Sequence, residues 1–205
     1  LHVRSRRQRQ MCIRDRVNTV EWRLGGPARE EDLTSYDRVL TWCRESGLLD
    51  ATEQEQLRVL AGEDPCTAAS ELDRVVALRE RLYEALFHGD EHAAETIATA
   101  FRDTLGHSHL SRRGAGWCWS DNELTLATVR HRITRGLVEL MNRDDLDRLH
   151  QCEDATCGWV YLDTSPRRNR RWCVTRDCGD RNRSRAYYAR QQERKRAARA
   201  RDRSS

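Results

Sequence analysis

The chain has 205 residues, of which 38% are apolar and 34% are charged, a length that suits one mid-sized domain with an appendage or two small domains. No run of about 18 apolar residues is present, which argues against a transmembrane helix and a membrane partner. The first arginines are not followed by an apolar segment of the kind that a secretory signal requires, so we expect a cytoplasmic protein.

Charge is distributed unevenly along the chain. The formal net charge is +4, but residues 151–205 hold 15 basic and 7 acidic residues, whereas residues 17–150 hold 16 and 25. Residues 1–16 hold 6 basic residues and 1 acidic residue. An acidic central segment followed by a basic end indicates that only the C-terminal end binds a polyanion.

Residues 1–16 show no hydrophobic period and include the string MCIRDR, which is similar to translated adaptor sequence of the kind that contaminates assembled genomes. We therefore predict that this segment, Cys12 included, is non-native and takes no part in the fold. A natural, disordered basic arm is the alternative.

From residue 17 to about residue 141, apolar side chains recur mostly at spacings of three and four, which is typical of amphipathic helices. This pattern predicts five or six helices, and their apolar faces include Leu33, Tyr36, Leu40, Cys43, Leu57, Leu60, Leu72, Val75, Leu82, Leu86, Ile97, Phe101, Leu126, Ile133 and Leu137.

Polar residues before the apolar runs predict where three of these helices begin. Thr52 with Glu55, and Ser120 with Glu123, match the capping-box pattern, in which each side chain satisfies a free backbone N–H group of the first turn. Asp90 is expected to cap the helix that follows it.

The stretch from residue 107 to residue 121 breaks the helical period. Leu110, the two glycines Gly114 and Gly116, and the alternating Trp117 and Trp119 predict a short β-hairpin. We expect the two tryptophans to be core residues. A ligand cavity lined by Trp117 and Trp119 is the alternative.

Four of the eight cysteines lie within 27 residues, spaced C-x4-C, fifteen residues, C-x4-C: Cys152, Cys157, Cys173 and Cys178. Two cysteine pairs separated by such a loop suit one tetrahedral Zn²⁺, and in a reducing cytosol close pairs bind metal more often than they form disulfides. Because four thiolates leave no open coordination position, the ion would be structural. Disulfides or isolated thiols are the alternatives.

The loop between the two cysteine pairs predicts a hairpin. Residues 158–162 are expected to form one strand, residues 164–166 the turn, and residues 171–174 the returning strand, so that each end presents one cysteine pair to the same metal.

Residues 152–190 resemble the CGNR zinc-finger module of bacterial transcriptional regulators. The shared elements are Cys157-Gly158-Trp159, Asp163, Ser165, Arg170-Arg171-Trp172-Cys173 and Cys178-Gly179-Asp180-Arg181, with Asp180 where the family signature has asparagine. Near the start, Val17-Asn18-Thr19 is similar to the F-V-N-T opening of the ABATE domain that usually precedes this finger.

The resemblance implies a mainly α fold, with a helical N-terminal domain that carries a small β-hairpin, followed by a four-cysteine zinc-finger module of hairpin plus helix. We expect an ABATE-like sensing or association domain over residues 17–147, the finger over residues 148–190 and a solvated basic tail over residues 191–205. The implied function is that of a stress-linked transcription regulator that binds DNA through the zinc module.

The expected DNA-contacting residues are arginines, whose planar guanidinium groups form paired hydrogen bonds with phosphate. They are Arg167, Arg168, Arg170 and Arg171 on the hairpin, and Arg181, Arg183, Arg185 and Arg190 in the helical segment after the last cysteine pair. Tyr187 is expected to pack against the zinc hairpin, with base stacking by Tyr187 and Tyr188 as the alternative.

Double-stranded DNA is therefore the expected partner. An RNA-binding or protein-interaction module without sequence-specific DNA binding is the alternative function. A homodimer and an unknown small-molecule effector are the other partners considered for the N-terminal domain.

An enzyme is the third class of function considered. His107, His109, His131 and His150 are candidates for a metal-hydrolase site, but the sequence has no HExxH, GxSxG or P-loop motif, and no carboxylate cluster stands near them in the sequence. We therefore predict that the protein is not an enzyme and that these histidines are surface or capping residues.

Overall fold

The structure is a computed structural model that describes residues 18–25 and 29–202. The predicted non-native segment, residues 1–16, lies outside the described residues. Within them, the helices are α1 (Tyr36–Glu45), α2 (Ala51–Glu63), α3 (Pro65–His88), α4 (Glu91–Gly106), α5 (Thr128–Met141) and α6 (Asp180–Asp202). The strands form three antiparallel pairs: β1 (Val20–Glu21) with β2 (Glu30–Glu31), β3 (Ser108–Arg113) with β4 (Gly116–Asp121), and β5 (Leu149–Gln151) with β6 (Val160–Leu162).

The predicted mainly α fold is confirmed. Helices α1 to α5 and the β3–β4 hairpin form what we call the helical body, and its core is built from the apolar faces that the spacing predicted. Leu57, Leu82 and Leu137 are fully buried in one cluster with side chains from all the body helices. None of the helices in the described residues is both long and apolar enough to cross a membrane.

Side-chain caps fix the helix starts, although not always at the predicted residues. Asp90 caps α4 by accepting a hydrogen bond from the Ala93 N–H, as predicted. The predicted box at Thr52 is wrong, because α2 begins two residues earlier than a cap at Thr52 would place it, and Asp50 forms the box with Glu53. Asp50 has the extended backbone that a capping residue needs, whereas Thr52 already lies inside the first turn.

The predicted box of Ser120 and Glu123 is also wrong. Ser120 belongs to strand β4, and α5 begins only at Thr128, whose hydroxyl accepts a hydrogen bond from the Thr125 N–H. The pattern matched the motif, but the residues between Ser120 and Thr128 continue the strand and then turn.

The predicted hairpin is present as β3–β4, with Leu110 opposite Trp119 and Arg112 opposite Trp117. The expectation that the tryptophans are core residues is wrong, because Trp117 is 69% exposed and Trp119 is 42% exposed. The small side chains of the opposite face, including Cys118, are the half-buried ones. The hairpin is joined to the helices at its open end, where the Ser108 hydroxyl accepts from Arg135 and Asp121 binds Arg132 and Arg135, and it presents its tryptophans to solvent.

The strand after the first cysteine pair is also present, but its partner differs from the prediction. β6 pairs with β5, in the register Leu149 opposite Leu162, and residues 171–174 form no strand. The reason is local, because the buried Asp163 carboxylate accepts hydrogen bonds from the N–H groups of Ser165 and Arg170 and closes the loop early.

Strand β6 belongs to the core of the helical body as well as to the cysteine region. Val160 and Leu162 lie in the same apolar cluster as the body helices, and the Gln151 amide donates to the Tyr83 hydroxyl on α3 at 2.5 Å. We call residues 149–202 the C-terminal module. The β5–β6 pair is the one sheet in the described part of this module, and it packs against the body.

Candidate metal centre and basic helix

The four cysteines that the spacing selected come together in one buried cluster. Cys152 and Cys157 flank the loop between β5 and β6, and Cys173 and Cys178 flank the turn before α6. Their four Sγ atoms all lie within 4.8 Å of one another, and the Cys157–Cys173 and Cys173–Cys178 separations are both 3.6 Å.

These separations fit a tetrahedral ion. Four sulfurs at about 2.3 Å from Zn²⁺ lie about 3.8 Å from each other, close to the observed values. All four cysteines are unbonded thiols, and 3.6 Å is far longer than a disulfide bond of about 2.05 Å. The cluster fits one structural zinc ion, as predicted, with all four ligand positions filled by protein.

Hydrogen bonds and burial act in opposite directions on the thiols of the cluster. The hydrogen bond from the Cys173 thiol lowers the pKa of Cys157 to about 6, against the effect of burial, while the same hydrogen bond raises the pKa of Cys173 and burial raises that of Cys178 to about 12. Arg181 donates to Cys178 Sγ at 3.0 Å, and the Cys173 N–H donates to Cys152 Sγ at 3.5 Å. Donors of this kind stabilise thiolates and orient them toward a metal.

Asp154, which was not predicted as a site residue, joins the first cysteine loop to the start of α6. Its fully buried carboxylate accepts from the N–H and hydroxyl of Thr156 and from the Asn182 amide at 2.7 Å, and lies 3.4 Å from both Arg181 and Arg185. The only signal was the spacing of Asp154 and Thr156, which is typical of an Asx turn. This carboxylate fixes α6 relative to the cysteine cluster.

The N-terminal segment, residues 18–25, runs along the same cysteine loop. Asn18 pairs with Val160, donating to its carbonyl at 2.7 Å and accepting from its N–H at 2.8 Å. The Arg23 N–H donates to the Cys157 carbonyl at 3.0 Å. Asn18 belongs to the predicted family opening, and its role is to hold strand β6.

Gly158 is the point where this segment approaches the cysteine loop most closely. Its φ is +68°, and a Cβ atom there would lie 2.9 Å from Leu24 Cγ and 3.0 Å from Arg23 Cβ. Only glycine tolerates both the left-handed backbone and the close approach. The glycine of the CGW element is explained by this contact.

The predicted DNA-contacting arginines divide into two groups by what they touch. Arg170 lies over the Tyr161 ring at 4.6 Å and donates to the Trp172 carbonyl at 2.7 Å, and Arg181 lies over the Trp22 ring at 4.5 Å. Both guanidinium groups hold the module together. The others are exposed at the surface: Arg167, Arg168, Arg171, Arg183, Arg185 and Arg190.

Two of the exposed arginines pair with nearby carboxylates outside α6. Arg168 lies 2.8 Å from Asp147, and Arg171 lies 2.6 Å from Glu153. On α6, Arg183 pairs with Asp180 one turn earlier, and Arg185 reaches the buried Asp154 from the helix surface.

Helix α6 has one face turned to the module and one turned away. Arg181, Asn182 and Arg185 define the docked face through Asp154. At 3.6 residues per turn, Arg183, Arg190 and Arg194 fall within about 40° of one another on the opposite side. All three are exposed, and we call them the outer arginine stripe.

The tyrosines of α6 do not pack as expected. Tyr187 is 54% exposed and Tyr188 is 65% exposed, so the expected packing of Tyr187 against the zinc hairpin is wrong. The two rings contact each other edge to face, with centroids 5.6 Å apart.

The exposed tryptophans line a cleft of about 1010 Å³ on the helical body, together with the α1–α2 connection and α5. The charged residues of this cleft form ion pairs with one another. Arg132 and Arg135 both bind Asp121 at 2.7 Å, and Arg132 also binds Glu53 at 2.6 Å. A ligand at Trp117 and Trp119 stays a prediction.

The comparisons with known proteins agree with the resemblance found in the sequence. Residues 15–144 match the ABATE family model, described as "Putative stress-induced transcription regulator", and residues 148–191 match the CGNR zinc finger. These are regulator and zinc-finger families, not enzyme families. No curated protein matches the chain. With more than half of its length matched, the chain belongs to the ABATE family, and a CGNR zinc finger follows its ABATE domain.

Proposed function

We propose that the protein is a stress-responsive transcription regulator that binds duplex DNA through α6 of its zinc module. The observation that carries this proposal is the outer arginine stripe, which faces solvent on a helix fixed to the metal centre. The acidic composition of residues 17–150 points to the module, and away from the body, as the part that binds a polyanion.

The shape of α6 suits a duplex. With 23 residues the helix is about 34 Å long, which is close to one turn of B-form DNA. Its described side chains include no apolar face that would bury it in a core, because residues 183–190 and 192–197 are all exposed. A long, positively charged helix of this kind fits the major groove or lies along the phosphates.

The zinc ion would set the direction of this helix. Cys178 and Gly179 end the turn that leads directly into α6, and Arg181 and Asn182 on its first turn are held by Cys178 and Asp154. Because a fixed helix loses less conformational freedom on binding than a mobile tail, metal-bound protein is expected to bind DNA more tightly.

The proposal is tested by removing the outer arginine stripe. Replacing Arg183, Arg190 and Arg194 together by alanine is expected to weaken duplex binding, measured by fluorescence anisotropy. Each lost phosphate contact lowers the magnitude of the log–log salt slope by about 0.9, so a drop of about 2.7 is expected.

The matched control removes the same charge from the body, at the exposed residues Arg44, Arg112 and Arg113. This variant is expected to keep the wild-type salt slope. Equal slopes for the stripe variant and the wild type would contradict the proposal.

The exposed tyrosines support a second candidate, a single-stranded RNA or DNA partner. Aromatic side chains stack on unpaired bases, and Tyr187 and Tyr188 lie side by side on α6. Competition between duplex DNA and a single-stranded RNA or DNA separates the two candidates. Preferential displacement by the single strand, lost on replacing both tyrosines by leucine, would favour the second.

A further inference from the structure

A second group of metal-ligating side chains lies in the helical body, outside the C-terminal module. Asp103 is on the last turn of α4, His107 follows directly as its C-terminal cap, and His131 is on α5. One ligand atom from each of these three residues lies within 4.8 Å of the others. Asp103 thus supplies a carboxylate beside these histidines that no sequence motif had indicated.

The backbone explains why the three residues meet. Asp103 and His107 are four residues apart, so they share one face at the end of α4. Helix α5 packs against α4 and places the His131 ring parallel to the His107 ring, with centroids 4.9 Å apart. Asp103 lies beside both, with 3.8 Å from Oδ1 to His107 Nε2 and 3.5 Å from Oδ2 to His131 Nε2.

One nitrogen of His131 in this group has no hydrogen-bond partner. The residue is only 4% exposed, and its Nε2 is buried without a hydrogen-bond partner. A buried nitrogen of this kind costs free energy unless something pairs with it. His131 Nε2 is turned toward the Asp103 carboxylate and the rim of the protein, where His107 and Asp103 are exposed.

We propose that Asp103, His107 and His131 form a second metal site that takes a divalent first-row transition ion. Ligand atoms about 2.0–2.1 Å from a tetrahedral ion lie about 3.4 Å apart, close to the 3.5 Å between Asp103 Oδ2 and His131 Nε2. Two imidazoles and one carboxylate suit Zn²⁺, Co²⁺, Ni²⁺ or Fe²⁺ rather than Mg²⁺ or Ca²⁺.

The neighbours of the group are compatible with such an ion. Arg130 donates to Asp103 at 3.1 Å, and it also donates to the buried Glu71 at 2.8 Å, so its positive charge has a carboxylate of its own. Arg130 donates to Oδ2 of Asp103, the oxygen nearer His131, so an ion would share this oxygen with Arg130, while Oδ1 faces His107. Hydrogen bonding of a ligating carboxylate by such a neighbour is usual in metal sites.

This site differs from the cysteine cluster in what it leaves open. Three protein ligands leave at least one coordination position for water or an exchangeable molecule, whereas four cysteines leave none. Weaker, exchangeable binding at the rim of the body is therefore expected. The proposal is independent of DNA binding, because none of its residues belongs to the C-terminal module.

Cobalt(II) titration of the zinc-loaded full-length chain tests the proposal. One further equivalent of Co²⁺ is expected to bind, with visible d–d absorption and without the thiolate-to-cobalt charge-transfer bands that binding to cysteine would give. Replacing the exposed His107 by alanine is expected to weaken this binding at least about tenfold, since even the loss of an outer-shell partner costs that much.

The control variant is His92→Ala, which removes an exposed histidine from the same helix and is expected to bind Co²⁺ like the wild type. Asp103→Asn, which preserves the size of the side chain, is expected to weaken binding as His107→Ala does. The proposal would be overturned by a chain that binds no second equivalent, by cobalt spectra that show thiolate ligands alone, or by unchanged affinity in His107→Ala.

Discussion

The helical body and the C-terminal module bury different kinds of groups. In the body, the fully buried residues are mainly aliphatic, with Leu57, Leu82 and Leu137 in one cluster. In the module, a separate cluster consists of the four cysteines and Tyr161, and the fully buried Asp154 and Asp163 lie beside it. The body is stabilised by apolar burial, and the module depends on metal coordination and on hydrogen bonds to buried carboxylates.

The two regions nevertheless meet at one place, which we call the seam: strand β6, the cysteine loop before it, and residues 18–25, which bind both. Val160 and Leu162 of strand β6 pack in the body core, while Cys157, three residues before the strand, belongs to the cysteine cluster. Asn18 holds the backbone of β6 from the N-terminal side. Loss of metal is therefore expected to lower the stability of the body as well. Substitutions in the part of the body core away from β6 should leave zinc binding at the cysteine cluster unchanged.

The largest effect is expected from breaking the cysteine cluster. Cys157→Ser removes one of four ligands, and structural zinc sites of this class contribute about 10–16 kcal/mol of apparent binding free energy. The variant is expected to lose zinc, measured by elemental analysis, and to unfold at lower temperature in far-ultraviolet circular dichroism. Cys66→Ser, at an exposed cysteine of α3, is the control and should retain both properties. Full zinc content in Cys157→Ser would contradict the assignment.

A smaller effect is expected from a cavity in the body. Leu57 is fully buried on α2, so Leu57→Ala should lower the free energy of unfolding by about 2–5 kcal/mol. Zinc content is expected to stay at one equivalent at the cysteine cluster, because α2 supplies none of its four ligands. Chemical denaturation and elemental analysis measure the two quantities. Loss of zinc together with stability would show that the regions are not separable in this way.

The seam itself is tested at Gly158. Gly158→Ala forces a side chain into Arg23 and Leu24 and a left-handed backbone, which should cost about 1–3 kcal/mol. Gly62→Ala, in α2 with open space around it, is expected to leave stability unchanged or raise it. Thermal unfolding of both variants measures the difference. Equal behaviour would mean that the N-terminal segment does not hold the cysteine loop in solution.

The smallest effect concerns acid stability of the body. The hydrogen bond from Arg132 lowers the pKa of Glu53, against the effect of burial. A carboxyl whose folded pKa is lowered stabilises the fold above its ordinary pKa and loses that contribution as the pH falls through the lowered value. Glu53→Gln is therefore expected to destabilise the protein at neutral pH and to flatten the loss of stability below about pH 4.5. An unchanged pH profile of unfolding in the variant would contradict this.

Local chemistry explains which features were predictable from the sequence. The spacing of Cys152, Cys157, Cys173 and Cys178 is typical of metal ligands. Coordination of one ion requires these four side chains to lie together, so their proximity could be predicted without knowing the rest of the fold. The body helices followed from the period of their apolar residues, and Asp90 followed from the chemistry of helix caps.

The features that were missed depend on contacts between distant residues. Asn18 and Val160 are 142 positions apart, and no local pattern pairs them. The period of Trp117 and Trp119 placed them on one face of a hairpin, but it could not tell that this face stays largely exposed. Likewise, β6 was recognisable as a strand, while its pairing with β5 depends on where Asp163 closes the loop.

The measurement that tests the central claim most directly is a duplex-DNA titration by fluorescence anisotropy, at two salt concentrations, with zinc-loaded and zinc-stripped protein. It is made with the full chain and with a chain lacking residues 1–16, since the six arginines of that segment could imitate binding. If zinc fixes α6 for DNA, tight binding will be lost when the metal is removed. Weak binding that survives metal removal in both chains would contradict the account, because the arginines would then act as an unstructured charged tail.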